Sequence, residues 1–263
     1  MSDAIRVGLV GFGYASKTFH APLIGGTPGM ALKAVASSDA DKVHADWPGV
    51  KVMSAPGDLL DDPDIDLVVI ATPNDTHFPL AKAALEAGKH VVVDKPFTVT
   101  LSQARELESL AKHCGRILSV FHNRRWDSDF LTVSALINEG QLGEVCYFES
   151  HFDRFRPQVR QRWREQAGPG SGIWYDLAPH LLDQVVVLFG LPVSITVDLA
   201  QLRPGAQSTD YFHAVLAYPQ RRVVLHGTLL AAAESARFIV HGSRASFIKY
   251  GLDPQEERLK NGE

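Results

Sequence analysis

Short, almost wholly apolar runs recur through the first half of the chain, each followed by a stretch of mixed polarity. Ile5–Val10 is β-branched and ends in glycines; Leu32–Ala36 follows, then a weaker run, Val50–Met53. Asp66–Ala71 and His90–Asp94 are apolar at nearly every position, as strands covered on both faces are, and Ile117–Phe121 is a sixth run. Helical patterns lie between them. Pro79–Ala87 is rich in good helix formers and stops at Gly88, while Ser102 is placed to cap a helix over Gln103–His113 that Gly115 ends. Strands alternating with helices predict right-handed βαβ units and a doubly wound parallel sheet.

After residue 122 the texture changes. Helical patterns cover Ser128–Glu139 and Asp176–Phe189, each closed by a glycine, Gly140 and Gly190. The remaining runs have strand character: Glu144–Phe152, Val193–Leu202, Asp210–Tyr218, Arg221–Leu230 and Arg237–His241, with Pro219 and Gln220 as a tight connection. Consecutive strands with few helices predict a mostly antiparallel sheet. The predicted fold is thus α/β: a parallel-sheet domain over residues 1–122 and an α+β domain over residues 123–263.

Composition narrows the function. With 45% hydrophobic and 21% charged residues, the chain is neither disordered nor a disulfide scaffold. A formal net charge of -4 leaves no global footprint for nucleic acid, so none is expected as a partner. Cys114 and Cys146 lie far apart in no metal-ligand spacing, which reads as two reduced thiols and no metal site. No apolar run approaches the roughly 20 residues of a membrane helix, and Val185–Leu191 reads as the end of a buried one. The first residues lack a signal-peptide pattern, so a cytoplasmic location with no membrane partner is expected.

Gly11 and Gly13 directly follow the first strand, with Tyr14, Ala15 and Ser16 opening the next helix. The first glycine permits the tight turn, the second lets backbone approach a pyrophosphate, and the helix N-terminus favours the anion. Ser16 stands where this fingerprint usually has Gly or Ala, a departure that still allows close packing. Gly-x-Gly alone is a weak signal; its place at the head of a βαβ series makes it a dinucleotide site. Ser37, Ser38 and Asp39 end the second strand. Asp39 is suited to accept from an adenosine ribose and to repel a 2′-phosphate, which favours NAD over NADP; it also fits a helix N-cap. Thr72, Pro73, Asn74 and His77 follow the fourth strand, where ligands of such sheets gather. Asn74 or Thr76 is placed to cap the next helix, and His77 either faces the cofactor or packs within that helix.

Asp94, Lys95 and Pro96 end the fifth strand. A lysine there is costly unless paired or functional, and Asp94 is the neighbouring charge; a solvated loop lysine is the alternative. Asp176 and His180 are four residues apart, so on a helix they share a face, and a carboxylate beside an imidazole orients it. An N-cap aspartate with a surface histidine is the plainer reading of that pair.

Together these clusters resemble the glucose–fructose oxidoreductase/inositol dehydrogenase family, Gfo/Idh/MocA, over nearly the whole chain. The family's Glu-Lys-Pro corresponds to Asp94, Lys95 and Pro96, its Asp-x-x-x-His to Asp176 and His180, and its Asn-Arg-Arg to Asn123, Arg124 and Arg125. The shorter Asp94 leaves Lys95 a carboxylate neighbour but alters its positioning. The segment from Asp153 to Pro157 and Trp163–Glu165 look most like the scyllo-inositol dehydrogenase branch. In that branch, NADP-using members tend to carry Arg where Asp39 stands.

The resemblance implies a Rossmann domain, a nicotinamide between the domains near Lys95 and His180, and a homo-oligomer formed through the C-terminal sheet. It implies reversible oxidation of a secondary alcohol on a cyclitol, polyol or sugar. His180 would be the general base, Lys95 the partner of the reacting oxygen, and Asp176 the group that binds a neighbouring hydroxyl or orients His180. Asn123, Arg124, Arg125, Arg154, Arg156 and Trp163 would contact substrate. Without the family, the arginine-rich stretch from His151 to Arg164 reads as a small basic patch for an anion or a nucleic acid, too short and isolated for the latter. Family members continue for several dozen residues past the point where this chain stops, so a shortened second domain is expected. Two other readings stay open: a reductase or dehydrogenase of an aldose, sugar phosphate or ketone, and a non-catalytic dinucleotide-binding regulator. Lys95 and His180 argue against the last, since a pure binder needs neither.

Overall fold

The computed structural model describes residues 4–262. Contacts divide the chain at Phe121: the first unit ends there and also takes in the segment from Glu256, and the second is His122–Gln255. Sequence reading leaves that late segment in the second domain. It joins the first because the Tyr14 hydroxyl donates to Glu256 Oε1 at 2.7 Å and Lys260 Nζ lies 5.7 Å from the Tyr14 ring centre.

In the first unit, β1 (Ile5–Val10), β2 (Met30–Ala36), β3 (Lys51–Met53), β4 (Leu67–Ile70), β5 (His90–Asp94) and β6 (Leu118–Phe121) form one parallel sheet. Its order is β3-β2-β1-β4-β5-β6, so the chain reverses direction of growth between β1 and β4. Val68 and Ile70 of β4 enter one apolar cluster and Val69 the other, which is why the run shows no polar alternation. Helices α1 (Ala21–Gly26), α2 (Ala40–Asp46), α3 (Pro56–Leu60), α4 (His77–Glu86) and α5 (Leu101–Cys114) cover the two faces. α5 is capped by Thr100, not Ser102: Thr100 Oγ1 accepts from the Gln103 N–H, and Gln103 Oε1 accepts from the Thr100 N–H. This reciprocal cap contributes about 1 kcal/mol, and Ser102 falls inside the first turn.

The second unit pairs helices α6 (Ser128–Asn138) and α7 (Gly172–Phe189) with a mixed sheet; α8 (Gln255–Lys260) follows it. The strands are β7 (Val145–Asp153), β8 (Ser194–Ala200), β9 (Tyr211–Ala217), β10 (Arg222–Thr228), β11 (Ala236–Gly242) and β12 (Ser246–Tyr250). Their order is β12-β11-β7-β10-β9-β8, antiparallel throughout except where β7 meets β10. β12 escapes sequence reading because five residues containing one lysine show too little pattern. Leu177, Leu181 and Val185 of α7 bury against Phe148, Phe212 and Phe238 of the sheet. Each such side chain contributes roughly 1.5–3 kcal/mol, and together they fix which face of α7 meets the strands. The run from Val185 carries α7 to Phe189, but against expectation only Val185 in it is buried, while Val186, Val187 and Leu191 are exposed. No helix among the described residues is long and apolar enough to cross a membrane.

Candidate functional site

The glycine turn is built by two different constraints. Gly11 donates its N–H to Ala36 O at 2.9 Å and has φ +90°; a Cβ there would stand 2.8 Å from Ala71 O. Only glycine fits. At Gly13 a Cβ would meet nothing within 4 Å, so protein packing does not demand glycine at that position. The open backbone fits the close approach of a pyrophosphate. Ser16, the departure from the fingerprint, is fully buried and its hydroxyl donates to Gly11 O at 2.8 Å, tying the turn shut. Tyr14 and Ala15 begin the helical stretch; the π-helical turn Ser16–His20 that continues it runs into α1.

At the end of β2, Asp39 caps α2: its Oδ1 accepts from the Lys42 N–H at 3.0 Å. Ser37 Oγ accepts from the Asp39 N–H at 3.2 Å, and Ser38 and Asp39 are exposed. The acidic group and the open glycine turn both fit the adenosine half of a dinucleotide.

Beyond β4, Thr72 and Thr76 share a hydroxyl hydrogen bond of 2.6 Å, and Thr76 Oγ1 donates to Pro73 O. Thr76 occupies the N-cap position of α4 but makes no side-chain cap, and Asn74 is buried in the turn before it. His77 packs between two strand ends. Its ring is 1% exposed, with Nδ1 2.8 Å from Pro96 O and Nε2 3.0 Å from Thr72 O, so it pins the ends of β4 and β5 together. At the end of β5, Asp94 Oδ1 accepts from the Lys95 N–H at 2.7 Å, and Oδ2 lies 3.7 Å from His20 Nε2. Burial alone would raise the Asp94 carboxyl, but His20 and the Lys95 charge outweigh it and hold it below the usual carboxylate range. Asp94 therefore stays ionised directly beside Lys95.

In the second unit, Asp176 and His180 both lie in α7, with Pro179 between them. The helix begins at Gly172, a turn earlier than sequence reading places it, so Asp176 is not its N-cap; Ser171 is. Gly172 has φ +82°, and a Cβ there would fall 2.3 Å from Thr209 Oγ1, while Ile173 donates its N–H to Thr209 O at 2.8 Å. His180 is buried, 6% exposed.

Two expected substrate residues are engaged elsewhere. Arg125 grips Asp183 with both arms, Nε to Oδ2 at 2.7 Å and Nη2 to Oδ1 at 2.6 Å. Arg124 donates to Asp127 at 3.1 Å and stacks 5.0 Å from the Phe152 ring, while its carbonyl accepts from Gln184. Both hold the segment after β6 against α7, Arg125 through a carboxylate 58 residues away and Arg124 through its carbonyl. Asn123 sits in the same short turn and is half-buried.

Arg154 and Trp163 belong to a different neighbourhood. Arg154 Nη1 lies 4.0 Å from Asp176 Oδ2, and Arg164 Nε lies 3.5 Å from Asp176 Oδ1 while its guanidinium stands 4.6 Å over the Trp163 ring. Arg156, Arg162 and Arg203 line the same pocket, beside the first turn of α7. Sequence reading does not single out Arg203, because its partner Asp210 sits on the far side of a turn. It also misses His151, Asp153 and His226, whose ligand atoms lie within 4.8 Å of one another. The parallel pairing that puts His226 beside His151 leaves no sequence signal.

The family model described as "Oxidoreductase family, NAD-binding Rossmann fold" matches residues 5–122, and "Oxidoreductase family, C-terminal alpha/beta domain" matches residues 134–263. The chain is 81% identical over 263 residues to the uncharacterized oxidoreductase YdgJ of Escherichia coli strain K12, covering 100% of this chain and 76% of that protein. It is 39% identical over 260 residues to scyllo-inositol 2-dehydrogenase (NADP(+)) IolW of Bacillus subtilis strain 168, covering 99% of this chain and 73% of that one. A solved structure of YPO2259 from Yersinia pestis superposes with a TM-score of 0.95 at 70% identity, covering 100% of this chain and 74% of that one.

Proposed function

The chain belongs to the Gfo/Idh/MocA oxidoreductase family, and we propose that within it the protein is a nicotinamide-dependent dehydrogenase of a secondary alcohol on a polyol or cyclitol. The observation that carries this reading is the retention of both polar groups such a reaction needs. Lys95 stands beside an ionised Asp94 at the end of β5, and Asp176 and His180 lie one turn apart on α7. A non-catalytic binder would have no use for that set. The 39% identity to an inositol dehydrogenase supports a hydroxylated ring as the substrate class.

Gly11, Gly13, Tyr14, Ala15, Ser37, Ser38, Asp39, Thr72, Pro73 and Asn74 are the residues we assign to the cofactor. Asp39 favours NAD over NADP by charge. When bound, the nicotinamide supplies the acceptor for hydride. His180 takes the hydroxyl proton as general base. Lys95 donates a hydrogen bond to the reacting oxygen and stabilises its developing negative charge. Asp176 binds a hydroxyl next to the reacting carbon. We further propose a cytoplasmic enzyme that assembles through its second sheet.

The test is reduction of NAD and NADP, followed at 340 nm, across inositols, linear polyols and aldoses. Oxidation of one hydroxylated substrate is expected. Lys95→Ala and His180→Ala should each lower kcat about 100-fold or more while cofactor binding persists. Full turnover in either variant would remove that residue from the mechanism.

A further inference from the structure

The pocket beside the first turn of α7 carries more positive charge than its carboxylates balance. Five guanidinium groups line it, those of Arg154, Arg156, Arg162, Arg164 and Arg203. Three carboxylates serve them. Arg203, 1% exposed, takes Asp210 at 2.9 Å and shares Glu165 (3.1 Å) with Arg162 (3.4 Å). Asp176 stands between Arg154 and Arg164 at 4.0 and 3.5 Å and is shared by the two. Among the described residues Arg156 forms no ion pair, although it is only half-exposed. Burial and the charges of Arg154, Arg160 and Arg162 push its guanidinium below the ordinary arginine range, as a crowded cation should be.

The cluster is also built, not draped. Arg203 Nη1 donates to the carbonyls of Arg156 and Gln158 at 3.1 and 3.2 Å. The backbone N–H groups of Arg154 and Arg156 donate to Thr228 O and Leu229 O at 2.9 and 2.7 Å. Backbone anchored on both sides presents these cations at fixed places, which lowers the ordering entropy a ligand must overcome. Guanidinium forks match the two oxygens of a carboxylate or phosphate, and the N-terminal end of an 18-residue helix adds a positive dipole end at the same wall.

We propose that this pocket binds an anionic group, a carboxylate or a phosphate, carried by the hydroxylated substrate, with Arg156 and Arg164 as its principal ligands. The inference rests on the assignment of Asp176 and His180 to the substrate. Arg154 and Arg164 offset the charge of Asp176, which lets that carboxylate take a neutral hydroxyl while Arg156 takes the acid. The substrate class narrows from polyols in general to sugar acids or sugar phosphates.

The test is calorimetric titration of the chain, in low salt and with NAD present, using D-gluconate, D-glucose 6-phosphate and neutral D-glucitol as probes. At least one anionic probe should bind about tenfold or more tightly than glucitol. The preferred probe identifies carboxylate or phosphate as the recognised group. The preference should fall with added salt, vanish in Arg156→Gln and return in part in Arg156→Lys. Equal binding of charged and neutral probes, or a preference that survives both Arg156→Gln and Arg164→Gln, would overturn it. Oxidation of neutral cyclitols with a KM indifferent to Arg156→Gln would also overturn it and leave the dehydrogenase standing. Selective anion binding with no nicotinamide reduction by any substrate would instead reject the dehydrogenase and keep the anion subsite.

Discussion

Arg203 and Asp210 face each other at 2.9 Å with both side chains about 1% exposed. Breaking a buried pair from one side leaves a charge without its partner, so Arg203→Ala should cost about 3–5 kcal/mol of stability. The same substitution frees the carbonyls of Arg156 and Gln158. Denaturant titration should show the lower midpoint, and amide exchange over residues 156–165 should speed more than elsewhere. Unchanged exchange there would mean that other contacts hold the loop.

The two glycines of the nucleotide turn should separate folding from binding. Gly13→Ala puts its methyl group in open space, so its melting temperature should stay within about 2 °C of the parent. Its affinity for NAD should fall about tenfold or more if cofactor backbone approach is what the space serves. Gly11→Ala should destabilise by about 2–4 kcal/mol, because it combines a left-handed φ with a clash on Ala71 O. A thermal melt and an NAD titration of both variants decide the matter.

Asp39→Ser should shift cofactor preference toward NADP. Removing a carboxylate from the region of a 2′-phosphate relieves between about 1 and 4 kcal/mol of repulsion, so the NADP-to-NAD ratio of kcat/KM should rise at least about fivefold. Serine still accepts the Lys42 N–H as an N-cap, so the helix is spared. An unchanged ratio would assign selectivity to another residue.

Asp66 should contribute to acid sensitivity. Hydrogen bonds from the Arg6 side chain and backbone outweigh its burial and hold the carboxyl down to about 2. A depressed carboxylate stabilises above its unfolded pKa and loses that contribution as pH falls through the folded value. Asp66→Asn should therefore cost about 1 kcal/mol at pH 7, since the pair is more than a third exposed. The difference from the parent should shrink between pH 4 and 2. A pH series of denaturant midpoints tests both the size and the sign.

What was legible in the sequence was whatever is written locally. The apolar runs of β4 and β5 declare burial on both faces, and the tight turn at Pro219 is seen in the Tyr218 N–H bonding to Arg221 O. The Gly11 turn, the Lys95 strand end and the Asp176–His180 spacing are readable for the same reason. What the sequence hides is the partner: the carbonyls of Thr72 and Pro96 for His77, Asp183 for Arg125 and Asp210 for Arg203. Thr100 displaces Ser102 as a cap because the box needs Gln103 three residues on, a signal that was present and was outweighed by a nearer serine.

Gly172 touches Thr209 so closely that it acts as a datum from which α7 is measured. A helix rises about 1.5 Å per residue. Asp176 and His180 therefore stand about 6 and 12 Å along the axis from that point, joined to it by a rod that transmits displacement instead of absorbing it. A methyl group at residue 172 would not be a local fault. It would push the datum off Thr209, and the same offset would appear at both polar groups together, in the manner of a ruler whose zero has slipped.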